Sequence, residues 1–233
     1  MQKTFKRLAA FMLVWGIILL QPPQASAIPA VMSDMDIVID VGHGGIDGGA
    51  VNGDLLEKDI NLQLGKLLYA ELQSKGYRTV LNRTGDYALS EDNHWLRSSR
   101  HRRDLAQRSL IANQLHPKMM ISLHVNWAKN RNRNGGVVLY QNNSHSILLA
   151  NLLQSSLNNL YGQTREPVFG KTFFILNHTK CPTVIVEMGF ISNARDRRQL
   201  TAPAKQKQLV AALSVAVDQY FAFTESAGSR PQP

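Results

Sequence analysis

Four short stretches of the chain pair a chemically capable side chain with a backbone that would display it. The first, Gly42-His43-Gly44-Gly45-Ile46-Asp47-Gly48-Gly49, holds five glycines in eight residues. Such a loop folds tightly and leaves its imidazole exposed. It lacks the Lys-Ser/Thr of a phosphate P-loop and the glycine spacing of a dinucleotide site. His43 is therefore either a ligand or a structural residue of the turn. The second stretch, Leu55-Leu56-Glu57-Lys58-Asp59, opens a helical pattern, where a carboxylate is also favoured by the electrostatics of a helix N-terminus alone. The third, Ser122-Leu123-His124-Val125-Asn126, puts an imidazole at the end of a strand pattern. Two histidines and a carboxylate make a recognised catalytic zinc set that leaves one position for water. Ligands this dispersed follow no spacing rule, so the residues alone leave the metal and structural readings both open.

The fourth stretch is Val184-Ile185-Val186-Glu187-Met188-Gly189-Phe190, where a carboxylate ends a run of β-branched residues. A buried strand tolerates that charge poorly unless it is paired or functional. Desolvation there favours the protonated form, which suits a general acid–base group near neutral pH.

The elements around these stretches alternate strand and helix. Apolar runs predict strands over 36–41, 77–82, 119–123, 136–141, 173–176 and 183–188. Apolar residues at three- and four-residue spacing predict helices over 57–75 and 147–160, one carrying Ala106, Leu110 and Leu115, and a last one from 204 to about 221. The fold class implied is α/β: a single domain with a mixed, mostly parallel sheet and helices on both faces. His43, His124 and Glu187 would then sit just past strand C-termini, where open α/β sheets bind their ligands.

Ile-Asp-Val-Gly-His-Gly-Gly, Glu-Lys-Asp, Ser-Leu-His-Val-Asn and Val-Glu-Met-Gly-Phe-Ile-Ser-Asn resemble, in order and approximate spacing, the motifs of the zinc-dependent N-acetylmuramoyl-L-alanine amidases. The resemblance covers residues 36–222. It implies Zn2+ bound by His43, Glu57 and His124, with Glu187 as a second essential carboxylate and peptidoglycan as substrate. The family usually has Pro at the position of Val41 and Ala-Asn-Ala where this chain has Val125-Asn126-Trp127; neither departure falls on an implied ligand. In size and layout the chain is most similar to the germination-type amidases of spore-forming bacteria. Some relatives carry a long insertion that folds over the zinc. The interval 84–97 is too short for it, which predicts access without an activator, although an activating protein remains a possible partner. Alternatives are another zinc wall hydrolase (a peptidase or deacetylase) or a non-catalytic wall-binding protein.

Composition sets the compartment. The chain has 233 residues, 44% hydrophobic and 18% charged, which suits one folded domain. Residues 1–27 carry Lys3, Lys6 and Arg7, then an uncharged run over 8–20, then Ala25-Ser26-Ala27. That is the form of a cleavable secretory signal. The run is shorter than the ~20 residues a spanning helix needs, a retained anchor being the alternative. Cleavage removes three positive charges and takes the net charge from +9 to +6. In an exported chain, that charge points to wall polymers, carboxylate-bearing peptidoglycan or lipid headgroups rather than nucleic acid. Residues 28–35 form a linker, and 223–233 a tail expected to be disordered. The single cysteine, Cys181, permits no intrachain disulfide. The basic run Arg97, Arg100, His101, Arg102, Arg103 and Arg108 reads as a solvated face. His94, His101, His116, His145 and His178 lack strand-end context and are read as non-ligands.

Overall fold

The computed structural model describes residues 35–90 and 97–228. The expected signal segment, nearly all of the expected linker, His94 and the last five residues lie outside the described residues, as does part of the 84–97 interval.

Strand β1 (Ile37–Val41) is buried along its whole length, as expected of a β-branched run inside a parallel sheet covered on both faces. It pairs in parallel with β4 (Thr79–Leu81) on one side and β5 (Met119–Asn126) on the other. β5 pairs in parallel with β8 (Thr183–Phe190). β6 (Val137–Tyr140) runs antiparallel to β8, and the two-residue β7 (Val168–Phe169) closes that edge. The order is therefore β4-β1-β5-β8-β6-β7, a mixed and mostly parallel sheet.

Strand alternation assigns the faces. Ile37, Ile39 and Val41 of β1, with Met119, Ile121 and Leu123 of β5, meet helices α1 (Glu57–Ser74), α3 (Ser144–Tyr161) and α6 (Pro203–Gly228) in the main core. Val38 and Met120 point the other way, onto Ala112 and Leu115 of α2 (Arg100–Leu115) and Ile175 of α4 (Phe174–His178). α1 buries Ile60, Leu64, Leu68 and Leu72, one per turn. Full burial of each such side chain stabilises the fold by about 1.5–3 kcal/mol. α2 starts at Ser99, whose side chain accepts from Arg102 N, and stops at His116, in the left-handed conformation before Pro117.

The expected α/β sheet with helices on both faces is the observed one. Three local expectations are corrected, and two elements were not anticipated. Residues 173–176 do not form a strand; α4 occupies that stretch, with Ile175 packed beneath α2 and Leu176 against Leu139 and Ile185. A short apolar run suits either element, and here the packing decides. The last helix continues to Gly228, so residues 223–228 belong to α6 and not to a tail. β7 and the polar helix α5 (Ala194–Thr201) had no apolar periodicity to announce them. Last, β5 and β8 run past their apolar stretches, to Asn126 and Phe190, which carries His124 and Glu187 inside the sheet.

Candidate active site

The carboxyl ends of β1, β5 and β8 bring three of the four expected side chains to one edge of the sheet, and α1 supplies the fourth. His124 and Glu187 are direct neighbours across β5 and β8, and an irregularity in the pairing follows between His124 and Asn126. Past β1 the loop doubles back, and a small hairpin of β2 (Val51–Asn52) and β3 (Leu55–Leu56) leads into α1. Glu57 is the first residue of that helix and is buried.

Glu57 Oε1 is the hub. It lies 3.1 Å from His43 Nε2 and 3.0 Å from His124 Nδ1, and it accepts from Val125 N at 2.9 Å. Oε2 accepts from Ala50 N at 2.7 Å. Burial opposes ionisation of this carboxyl, but hydrogen bonds from His124 and His43 overcome it and hold Glu57 well below the usual carboxylate range. One donor atom from each of His43, Glu57 and His124 falls within 4.8 Å of the others. No other such group of His, Cys, Asp or Glu occurs among the described residues.

Close approach here depends on glycine. A Cβ at Gly42 would stand 2.5 Å from His124 Cε1. At Gly49 it would stand 2.6 Å from Glu57 Oε2, on a backbone with φ of +67°. Any larger residue at either position would displace a member of the cluster.

Glu187 occupies the other wall. Its Oε2 is buried and has no hydrogen-bond partner among the described residues. Burial pushes its carboxyl up to about 6, the His124 charge offsetting part of that rise. His43, His124 and Glu187 together line one end of a cleft of about 380 Å³. Leu105, Phe173, Phe174 and Ile185 make its apolar side, with His101 at the rim. The arrangement presents a buried anion between two imidazoles, a second carboxyl without a partner, and open space in front of both. Such a layout could hold a cation beside a group able to carry a proton.

Several residues of the site carried no signal of their own in the sequence. Asp47 Oδ1 lies 3.1 Å from His43 Nδ1, on the far side of the ring from Glu57. Asn61, one turn into α1, donates to Gly42 O and to Glu57 Oε1. Arg83 and Arg108 are buried under the glycine loop. Arg108 corrects the reading of the basic run as a solvated face: it pairs with Asp40 at 2.7 Å and Asp104 at 2.6 Å, beneath the surface. Its only advance sign was helical spacing, which sets it on the same side of α2 as Asp104 and Ala112. His101 remains outside the cluster, with its Nδ1 4.0 Å from Asp47 Oδ2.

Comparison with known proteins gives the class. The sequence profile of the N-acetylmuramoyl-L-alanine amidases matches residues 37–219, and the chain belongs to that family of peptidoglycan hydrolases. It is 29% identical over 192 residues to the germination-specific N-acetylmuramoyl-L-alanine amidase of Bacillus subtilis, covering 82% of this chain and 81% of that one. Among solved structures it resembles the CwlD amidase of Clostridioides difficile, captured in complex with the GerS lipoprotein. The TM-score is 0.75 at 28% identity, over 81% of this chain and 99% of that one. The catalytic domain of CwlV from Bacillus (Paenibacillus) polymyxa gives 0.69 at 27% identity, over 80% and 97%.

Proposed function

We propose that the chain is an exported, zinc-dependent amidase that hydrolyses the bond between the lactyl group of N-acetylmuramic acid and L-alanine. His43, Glu57 and His124 would hold the metal, and Glu187 would carry the proton. The observation that carries this reading is the convergence of His43 Nε2, Glu57 Oε1 and His124 Nδ1 beside a carboxyl that has no partner of its own. Zinc bonds of about 2.0–2.2 Å at tetrahedral angles require donors about 3.4 Å apart. The separations of 3.1 and 3.0 Å from Glu57 Oε1 are within a small adjustment of that. The donor chemistry also fits, two imidazoles and one carboxylate being a catalytic rather than a structural set. Asp47 Oδ1 stands 3.1 Å from His43 Nδ1 without hydrogen-bond alignment, and would orient the ring once the two align, as carboxylates beside ligating histidines do.

Bound zinc would supply Lewis acidity and bring the pKa of a coordinated water towards ~7. The protein's own part is the proton and the exclusion of solvent. Glu187, its pKa pushed up to about 6 by burial, would take a proton from the attacking water at Oε2 and return it to the departing amine, since an unprotonated amide nitrogen leaves poorly. The apolar side of the cleft would lower the dielectric around that transfer.

The likeness to a germination-specific relative makes spore cortex a reasonable substrate form, and a neighbour captured with a lipoprotein makes an extracytoplasmic partner reasonable. The expected signal at residues 1–27 supports action outside the membrane, and among the described residues no helix is long and apolar enough to cross one. Incubating the purified protein with peptidoglycan tests the reading. An amidase frees L-alanine amino termini; acetate release would indicate a deacetylase, new termini within the stem a peptidase, and no release a binding protein.

A further inference from the structure

The carbonyls of Val41, Gly42 and His43, where the chain leaves β1, are gripped by two buried guanidinium groups. Arg108 Nη1 donates to Val41 O at 2.7 Å and Nη2 donates to His43 O at 2.8 Å. Arg83 Nε donates to Val41 O at 3.1 Å, while Nη2 reaches Gly42 O at 3.0 Å and Lys58 O at 2.8 Å. Both arginines are anchored elsewhere. Arg108 is fixed by Asp40 of β1 and Asp104 of α2, and Arg83 Nη1 donates to Gly85 O. The bland account is that they satisfy buried carbonyls, which interior backbone requires. That account does not explain where the donors go. They join the residue of one imidazole, His43, to Lys58, the neighbour of the carboxylate Glu57, although the two arise from separate elements.

The loop needs such a restraint. His43 has φ of +59°, a left-handed conformation uncommon outside glycine, and glycines lie on both sides of it, so little in the local sequence fixes its backbone. Fixing these carbonyls adds to the hydrogen bonds from Gly42 N to Leu123 O and between Gly44 and Asp47, so less of the loop's backbone entropy is left to be lost when a metal binds. A preorganised loop avoids that cost and binds more tightly.

We propose that Arg83 and Arg108 are positioning residues that hold His43 and Glu57 in register and so set the affinity of the site for zinc. This rests on the zinc reading above. Lysine keeps the charge, but its ammonium sits on a flexible stem and lacks the rigid planar fork with which the guanidinium fixes several carbonyls at set positions. The test uses Arg108→Lys and Arg83→Lys in the full chain, stripped of metal. Zinc affinity is measured by chelator competition, apo-protein melting by circular dichroism, and ligand geometry by the visible absorption of the cobalt-substituted protein. Each variant should bind zinc about 10–100-fold more weakly, the range for loss of a group supporting a metal ligand, with an altered cobalt spectrum and a cooperative apo melt. A folded variant with zinc affinity within twofold of the parent and an unchanged cobalt spectrum overturns the proposal. If Arg108→Lys does not fold, Arg83→Lys decides alone. If neither yields folded apo-protein, the arginines serve the fold rather than the ligands, and the proposal also fails. A parent protein that binds no zinc would instead refute the zinc reading, and this inference with it.

Discussion

Replacing Asp40 by Asn should destabilise the fold far more than a one-atom change suggests. Asp40 is fully buried. Its carboxylate accepts from Arg108 at 2.7 Å and Ser122 Oγ at 2.5 Å, and also from Asn82 Nδ2. Asparagine removes the charge opposite a buried guanidinium and replaces one acceptor oxygen with an NH2, which then faces either Ser122 Oγ or the Arg108 and Asn82 donors. Breaking a buried ion pair by altering one partner costs about 3–5 kcal/mol. Arg108 keeps Asp104 at 2.6 Å, which places the loss near the lower end, about 3 kcal/mol. For a domain of this size that lowers Tm by roughly 6–12 °C. The pH dependence follows from the sign of the shift. Burial raises the Asp40 pKa, but the Arg108 charge and the Ser122 hydrogen bond outweigh it, so the folded-state value lies below the unfolded one. Its contribution is complete above the ordinary aspartate value of about 3.9 and is lost as pH falls through the lower folded value. The Tm gap between parent and Asp40→Asn should therefore be full at pH 7 and narrow on acidification below about pH 4. Thermal melts followed by circular dichroism across that range measure both effects. A variant melting within 2 °C of the parent at pH 7, or a gap that widens in acid, would refute the reasoning.

Four further outcomes are expected. His43→Ala, Glu57→Ala and His124→Ala should each purify without zinc, whereas Glu187→Gln should keep it and lose about 10²–10⁴-fold in turnover; a metal-free Glu187→Gln would make that carboxylate a ligand. With its pKa pushed up to about 6, Glu187 is mostly ionised above that pH, so kcat/KM of the parent should fall on its acid side, and a parent rate flat from pH 7 to 5 would remove it as the base. N-terminal sequencing of the exported protein should begin at Ile28, and the purified enzyme should cleave wall fragments unaided, given that the His43 and His124 side chains are both more than a fifth exposed. Activity that appears only on adding a second protein would mean that the open cleft is incomplete.

What could be read from residue order alone was the alternation of elements and the four polar stretches. Both depend on local periodicity and on residue types placed next to strand ends. Ile37–Val41 and Thr183–Met188 are apolar enough to be buried strands in any arrangement, and Ile60, Leu64, Leu68 and Leu72 repeat at the helical period. That same logic failed at residues 173–176, where four apolar residues suit either element and only contact with α2, Leu139 and Ile185 selects a helix. It also failed for Arg108, because local charge pattern cannot tell a solvated arginine from one whose carboxylates arrive from another element. Asp40 lies 68 residues away from it in sequence and 2.7 Å away in space. The cluster of His43, Glu57 and His124 is of the same kind. Their residue types were visible in the chain, but bringing them within 4.8 Å of one another required β1 to pair with β5 and α1 to dock beneath the glycine loop. Long-range pairing of that sort has no local signature, since it is decided by which faces can be buried together.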